Sequence, residues 1–274
     1  MKRAAVLALA LIVPAAARAQ APEYRRAPGD TLVYREVTSA TVEMRPASGT
    51  ITVKTGHDAR IAVTFGAADT ARAWFQALSL SAEGAPLGTR RPDSKALLGQ
   101  PYTLIFGARG QVQTVAVPPI PPEVAQVTDL SAEFTDFFPR LPPGPFQPGA
   151  TWADTTRHQT TNAAGRTVIA ERLGAYRVRG DSAIHGERVV VVEMTTHTEI
   201  FTGSANVPQP NVPATESALA GEETGTFYFA PASGRLVARR RSGSMAGAVT
   251  ITAAGQQLSI PQSFTYESRI DLVR

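Results

Sequence analysis

The sequence contains no cysteine. That absence removes disulfide staples, thiol nucleophiles, thiolate metal ligands and any lipid attached through sulfur. No long hydrophobic run is present either. The apolar stretch at residues 4–13 is about half of the roughly 20 residues that a membrane-spanning helix needs. Lysine is almost missing, with only Lys2, Lys54 and Lys95, so arginine carries nearly all the positive charge. The familiar catalytic and nucleotide signatures are absent as well: no Gly-x-Ser-x-Gly, Ser-x-x-Lys, His-Glu-x-x-His, P-loop or Gly-x-Gly-x-x-Gly.

What is present begins with an address. Lys2 and Arg3 precede the apolar run, Pro14 breaks it, and Ala17-Arg18-Ala19 supplies the small-x-small pattern of a cleavage site. Residues 1–19 are therefore expected to be a secretory signal peptide, with an exported, soluble product starting at Gln20 in the periplasm or outside the cell. Of the 27 basic residues, Lys2, Arg3 and Arg18 fall in that segment, leaving 24 against 23 acidic ones. The remaining chain is close to neutral. The run Arg239-Arg240-Arg241 then reads as a solvated strand face, and no nucleic-acid partner is expected.

Alternation of apolar and polar residues dominates the rest. It marks strands at residues 31–37, 50–53, 60–65, 103–106, 111–117, 167–178, 190–200, 226–229, 235–239, 248–252 and 264–273. Pro46-Ala47-Ser48-Gly49 and Pro231-Ala232-Ser233-Gly234 repeat one tetrapeptide between strand-like runs and read as hairpin tips. Residues 69–83 fit either a helix or a strand carrying Trp74, Leu78 and Leu80 on one face. Prolines at 118–122 and 139–148 bracket residues 123–138, whose apolar positions fall at helical spacing and predict one amphipathic helix. Residues 203–221 read as a long mobile loop. The expected fold is mainly β, with antiparallel strands in two packed and possibly repeated halves joined by that helix. The boundaries are 1–19 for the signal peptide, 20–117 for the N-terminal half, 118–148 for the connector and 149–274 for the C-terminal half.

Candidate chemistry is sparse. His57-Asp58 and His185-Gly186 sit where turns are expected, and His158 lies in a polar, solvent-facing run. Glu193, His197 and Glu199 share one face of a strand; His197 and Glu199 form the nearest approach to a metal pair, with no third ligand, so no metal and no cofactor are expected. Glu222 and Glu223 point to opposite faces, the wrong geometry for two carboxylates acting on one bond. Phe134, Phe138 and Trp74 are the candidates for touching an apolar ligand, although core packing is the first role for the two phenylalanines.

Three stretches carry a resemblance. Residues 97–112, from Leu97-Leu98-Gly99 through Tyr102-Thr103 to Gly110-Gln111-Val112, resemble a segment of an uncharacterised family of exported bacterial β-rich proteins, many of them lipoproteins. Pro148-Gly149-Ala150-Thr151-Trp152 is similar to the step after that family's proline-flanked helix, and residues 225–234 resemble its closing strand and turn. The resemblance implies an envelope protein without catalytic residues to carry over, and it favours a strand for residues 69–83. Lacking cysteine, the chain departs from the lipoprotein members. The expected function is non-enzymatic binding of a lipid or other hydrophobic ligand, or of an envelope protein. A structural or assembly role is the second reading, and a hydrolase built around His197 and Glu193 is the third.

Overall fold

Twelve strands form one antiparallel sheet in a computed structural model that describes residues 20–25, 27–67, 69–85, 88–161, 166–203, 214–253 and 256–273. The expected signal peptide, and residues 204–213 of the expected loop, lie outside the described residues. The strands are β1 (Thr31–Met44), β2 (Ile51–Phe65), β3 (Thr70–Gly84), β4 (Gly88–Arg90), β5 (Tyr102–Phe106), β6 (Val112–Ala116), β7 (Thr151–Thr161), β8 (Thr167–Ile184), β9 (Glu187–Thr202), β10 (Ala214–Ala230), β11 (Arg235–Ala253) and β12 (Gln256–Leu272). Their order is β6-β5-β3-β2-β1-β12-β11-β10-β9-β8-β7, with β4 beside β3. The mainly β, antiparallel expectation holds, and the two halves of the sequence belong to a single sheet joined where β1 pairs β12 over eleven residue pairs. Residues 214–221, read as loop from the sequence, belong to β10.

Both Pro-Ala-Ser-Gly tetrapeptides are turns between strands, and Gly49 and Gly234 adopt the positive φ that such tips require. His185-Gly186 closes β8 onto β9 with both residues at positive φ, the signature of a two-residue hairpin. His57-Asp58 is not a turn. It lies inside β2, paired with Val37 and Thr38 of β1.

The sheet curls without closing. Phe106 on β5 and Phe229 on β10 are six strand steps apart, which would be about 29 Å on a flat sheet. Yet the Tyr24 ring touches both edge-on, with centroids 5.5 and 5.3 Å away. Irregularities in pairing help the bending. They fall at Arg60/Ile61, Thr103/Leu104, Val178/Gly180 and Tyr228/Phe229, all beside the aromatic core, where an extra residue sharpens local twist.

Filling the curl is the work of the connector between β6 and β7. Only Pro122–Ala125 forms a helix, α1. The long helix predicted for residues 123–138 is replaced by a succession of turns closed by i to i+3 bonds, from Glu133 to Leu130, Thr135 to Ala132 and Phe137 to Phe134. Tertiary contacts override the helical spacing. The Asp129 carboxylate captures the Ser131 N–H, which a helix would pair with the carbonyl of Val127, and Arg239 holds the carbonyls of Asp136 and Phe137 in place. Three phenylalanines then enter three neighbourhoods. Phe134 packs on Tyr102 and Phe75, Phe137 on Tyr34, and Phe138 on Tyr24 and Phe106. All three are buried, as core packing requires.

Phe138→Ala should cost about 3–5 kcal/mol, the range for deleting a buried Phe, and shift the denaturant midpoint without changing the slope. Chemical unfolding of the two proteins checks this; a loss below about 1 kcal/mol would mean that Phe138 does not close the curl.

Candidate functional site

Inward-facing positions change character along the strands. At one end lies the aromatic core. Past it comes a belt of charge: Glu36 on β1, His57 on β2, Tyr266 and Ser268 on β12, Arg239 and Arg241 on β11, Glu223 on β10 and Arg172 on β8. Glu133 and Asp136 of the connector face them. Glu36, Glu223 and Arg239 are each 5 % exposed or less. Burying so many charges costs several kcal/mol per ion before pairing repays it, so the belt is not explained by stability alone.

Local strand geometry puts these groups together. Glu36 continues the inward register of Leu32 and Tyr34, and Glu223 that of Phe227. At the other side of the tips, Tyr228 and Phe229 oppose Ala238 and Leu236, so Val237 is skipped and both Leu236 and Arg239 face inward. Room for the large groups comes from glycine. A Cβ on Gly243 would stand 2.8 Å from the Tyr266 ring and 2.9 Å from the Glu223 side chain.

The belt is only partly hydrogen-bonded. The Tyr266 hydroxyl donates to Glu223, whose other oxygen is 3.8 Å from Arg241, and the Arg241 guanidinium lies over the Tyr266 ring. Arg172 pairs with Asp136, and Arg140 with Asp154 at 2.9 Å. Ser268 donates to one oxygen of Glu36 at 3.3 Å. His57 Nε2 stands 3.7 Å from Glu36 and 3.8 Å from Glu133. Burial opposes protonation of His57, but Glu133 and Glu36 outweigh it and raise the imidazole to about 9. Burial and the Glu36 charge push the Glu133 carboxyl up; at Glu36 the same burial is overcome by His57 and Arg239, which hold it below the usual range.

Beyond the belt the inner face becomes apolar again and, among the described residues, is only partly covered by the connector. Val42, Val127, Ile200, Met245 and Phe264 share a cavity of about 440 Å³ with Glu36, His57, Glu133, Glu223 and Arg241. Leu219, Val249, Ile251 and Ile260 extend the inward register toward the open end of the strands and are half-buried. A larger groove of about 980 Å³ runs over the outer face, lined mainly by polar and charged groups such as Arg35, Glu193, Arg240 and Asp271.

The sequence-derived candidates fall in three places. Phe134 and Phe138 are in the core. Trp74 is on the outer face, because the irregularity opposite Arg60/Ile61 switches β3 from inward Leu80 and Leu78 to inward Phe75 and Ala73. His197 and Glu199 are on the outer face as neighbours 3.4 Å apart, both side chains about half exposed or more, and Glu193 pairs there with Arg179. The arginine run is not a solvated face: Arg239 and Arg241 point inward and only Arg240 points out, to Asp271. Nor is His158 solvent-facing. Its Nε2 is buried and lacks a hydrogen-bond partner, 4.0 Å from Asp136. Glu222 and Glu223 do face opposite ways. Sequence reasoning missed Glu36, Glu133, Glu223 and Arg241, although an acid at the inward position after Leu32 and Tyr34 was a readable signal.

Two outcomes follow. Glu223→Leu should cost about 3–5 kcal/mol because it strands Arg241, while Glu223→Leu combined with Arg241→Met should cost clearly less. Equal losses in the two proteins, measured by denaturant unfolding, would show that the pair is not coupled. Burial, with Arg172 and Arg140 nearby, keeps the folded His158 below its ordinary 6.5 although Asp136 opposes this. The unfolded chain therefore binds the extra proton first, and the contribution of His158, present above about 6.5, is lost as pH falls. The stability of the protein relative to His158→Gln should shrink from pH 7.5 to pH 5; a constant difference would refute it.

Neither the protein-family models nor the curated proteins contain a match to this chain.

Proposed function

We propose that the chain is an exported protein, working in the periplasm or outside the cell, that binds an amphipathic molecule on its inner sheet face and carries out no reaction on it. The polar end of the ligand meets the charged belt, and its apolar part lies along Val42, Ile200, Met245 and Phe264. The observation that carries this reading is the mixed cavity: about 440 Å³ of space bounded on one side by buried charge and on the other by the apolar side chains Val42, Ile200, Met245 and Phe264 of the sheet, together with Val127 of the connector. Binding sites for small molecules combine such apolar walls with a few convergent polar groups. An apolar sheet face left uncovered costs free energy that a ligand recovers on binding. Among the described residues no helix is long and apolar enough to cross a membrane.

Ile200→Glu and Val249→Glu test the reading, since both side chains are half-buried and can be changed without opening the aromatic core. A dansyl-labelled fatty acid should bind the unaltered protein and lose at least about tenfold in affinity in each variant, from the roughly 1.5–3 kcal/mol that covering such a side chain contributes. Melting temperatures should stay within a few degrees. No uptake by the unaltered protein, or equal uptake by all three, would leave the structural or assembly role as the better account.

A further inference from the structure

The buried polar atoms of the belt are unequally served. Glu36 is 4 % exposed, and its Oε2 has no hydrogen-bond partner; the same is true of His57 Nε2. Other buried atoms lack partners too, among them Thr198 Oγ1 and Arg241 Nε, but Glu36 Oε2 and His57 Nε2 face each other 3.7 Å apart, and two such orphaned atoms in one place require an explanation. Glu133 completes the set from the opposite side. One ligand atom from each of Glu36, His57 and Glu133 lies within 4.8 Å of the others. The arrangement is anchored by structure: Glu36 and His57 are diagonal neighbours on β1 and β2, where Thr38 pairs His57 and Glu36 pairs Ala59, while Glu133 comes down from the connector. Ser268 steadies the second oxygen of Glu36.

We propose that Glu36, His57 and Glu133 form a binding site for a divalent transition ion of the zinc class. The donor set is one imidazole nitrogen and two carboxylate oxygens, which suits a borderline cation better than a hard one such as calcium, which takes six to eight oxygens. The distances fit. Two ligands about 2.1 Å from a tetrahedral ion sit roughly 3.4 Å apart, so the separations of 3.7 and 3.8 Å from His57 close by a few tenths of an ångström, while the two carboxylate oxygens, within 4.8 Å of each other, close by up to about 1.4 Å. Charge also fits, because two carboxylates neutralise the ion, and among the described residues no arginine forms an ion pair with either of them. All three residues line the mixed cavity, so the fourth position faces that space and is open to water or to an oxygen of a ligand. This inference does not depend on an amphiphile being bound.

The rival account is an ion pair between His57 and the two carboxylates without metal. The test uses the full protein, stripped with chelator and returned to metal-free buffer, then titrated with zinc by calorimetry and, in parallel, with cobalt, whose visible absorption reports coordination number. One equivalent should bind, raise the melting temperature by several degrees, and give cobalt bands of the intensity typical of four-coordinate sites. Loss of an outer-shell partner alone costs 10- to 100-fold in affinity, so Glu133→Gln and His57→Gln should each weaken zinc by at least about a hundredfold. His197→Gln, which alters the exposed pair with Glu199, should leave binding unchanged. No uptake, or uptake abolished by His197→Gln and untouched by Glu133→Gln, would overturn the proposal, and a folded Glu133→Gln protein with unaltered affinity would do so as well.

Discussion

Strands of 14 to 19 residues make most of a sheet far longer than the segment available to fill it. The interaction on which the interior depends is therefore the docking of the connector, through Phe134, Phe137 and Phe138, at one end of the curl. Edge-to-face contacts from Tyr24 to Phe106, Phe138 and Phe229 tie both flanks of the sheet to it. The Tyr24 hydroxyl donates to the carbonyl of Pro139, and Arg239 clamps the carbonyls of Asp136 and Phe137. Where the connector stops, packing stops, and the charged belt marks that border.

Reach explains the chemistry at the border. A side chain on the inner face must meet the connector, meet another side chain across the curl, or meet whatever enters from the open end. Glu133 and Asp136 supply counterparts to His57 and Arg172, but Glu36 and His57 keep unserved atoms. Such a border is polar where protein faces protein and apolar where a second component is expected.

Much of the fold was legible in alternation and turn residues, because period-two burial and the demands of positive φ are local. The repeated Pro-Ala-Ser-Gly tips and the His185-Gly186 turn are of this kind. Legibility failed where one extra residue or one distant partner decided the outcome. Trp74 looked cofacial with Leu78 and Leu80 until the pairing irregularity in β3 reversed its direction. The helical spacing of residues 123–138 was real, but the Asp129 carboxylate took the Ser131 N–H a helix would have used, and Arg239, some hundred residues away, fixed the carbonyls of Asp136 and Phe137. His57 looked like a turn residue beside Asp58 and Gly56, and nothing near it in sequence indicated Glu36 or Glu133. The candidate site is assembled from long-range pairings, which alternation cannot report.

Because the curled sheet does not close, its last strand keeps one row of unpaired backbone groups. β7 is the kind of edge onto which a second chain can add a strand, yet its inward positions include Asp154 and His158, each set against an arginine or aspartate of the protein itself. A strand arriving there would have to place its own inward side chains beside these polar groups, which is unfavourable for an apolar strand. The same inward charges that complete the interior thus also weigh against sideways addition of a strand at β7.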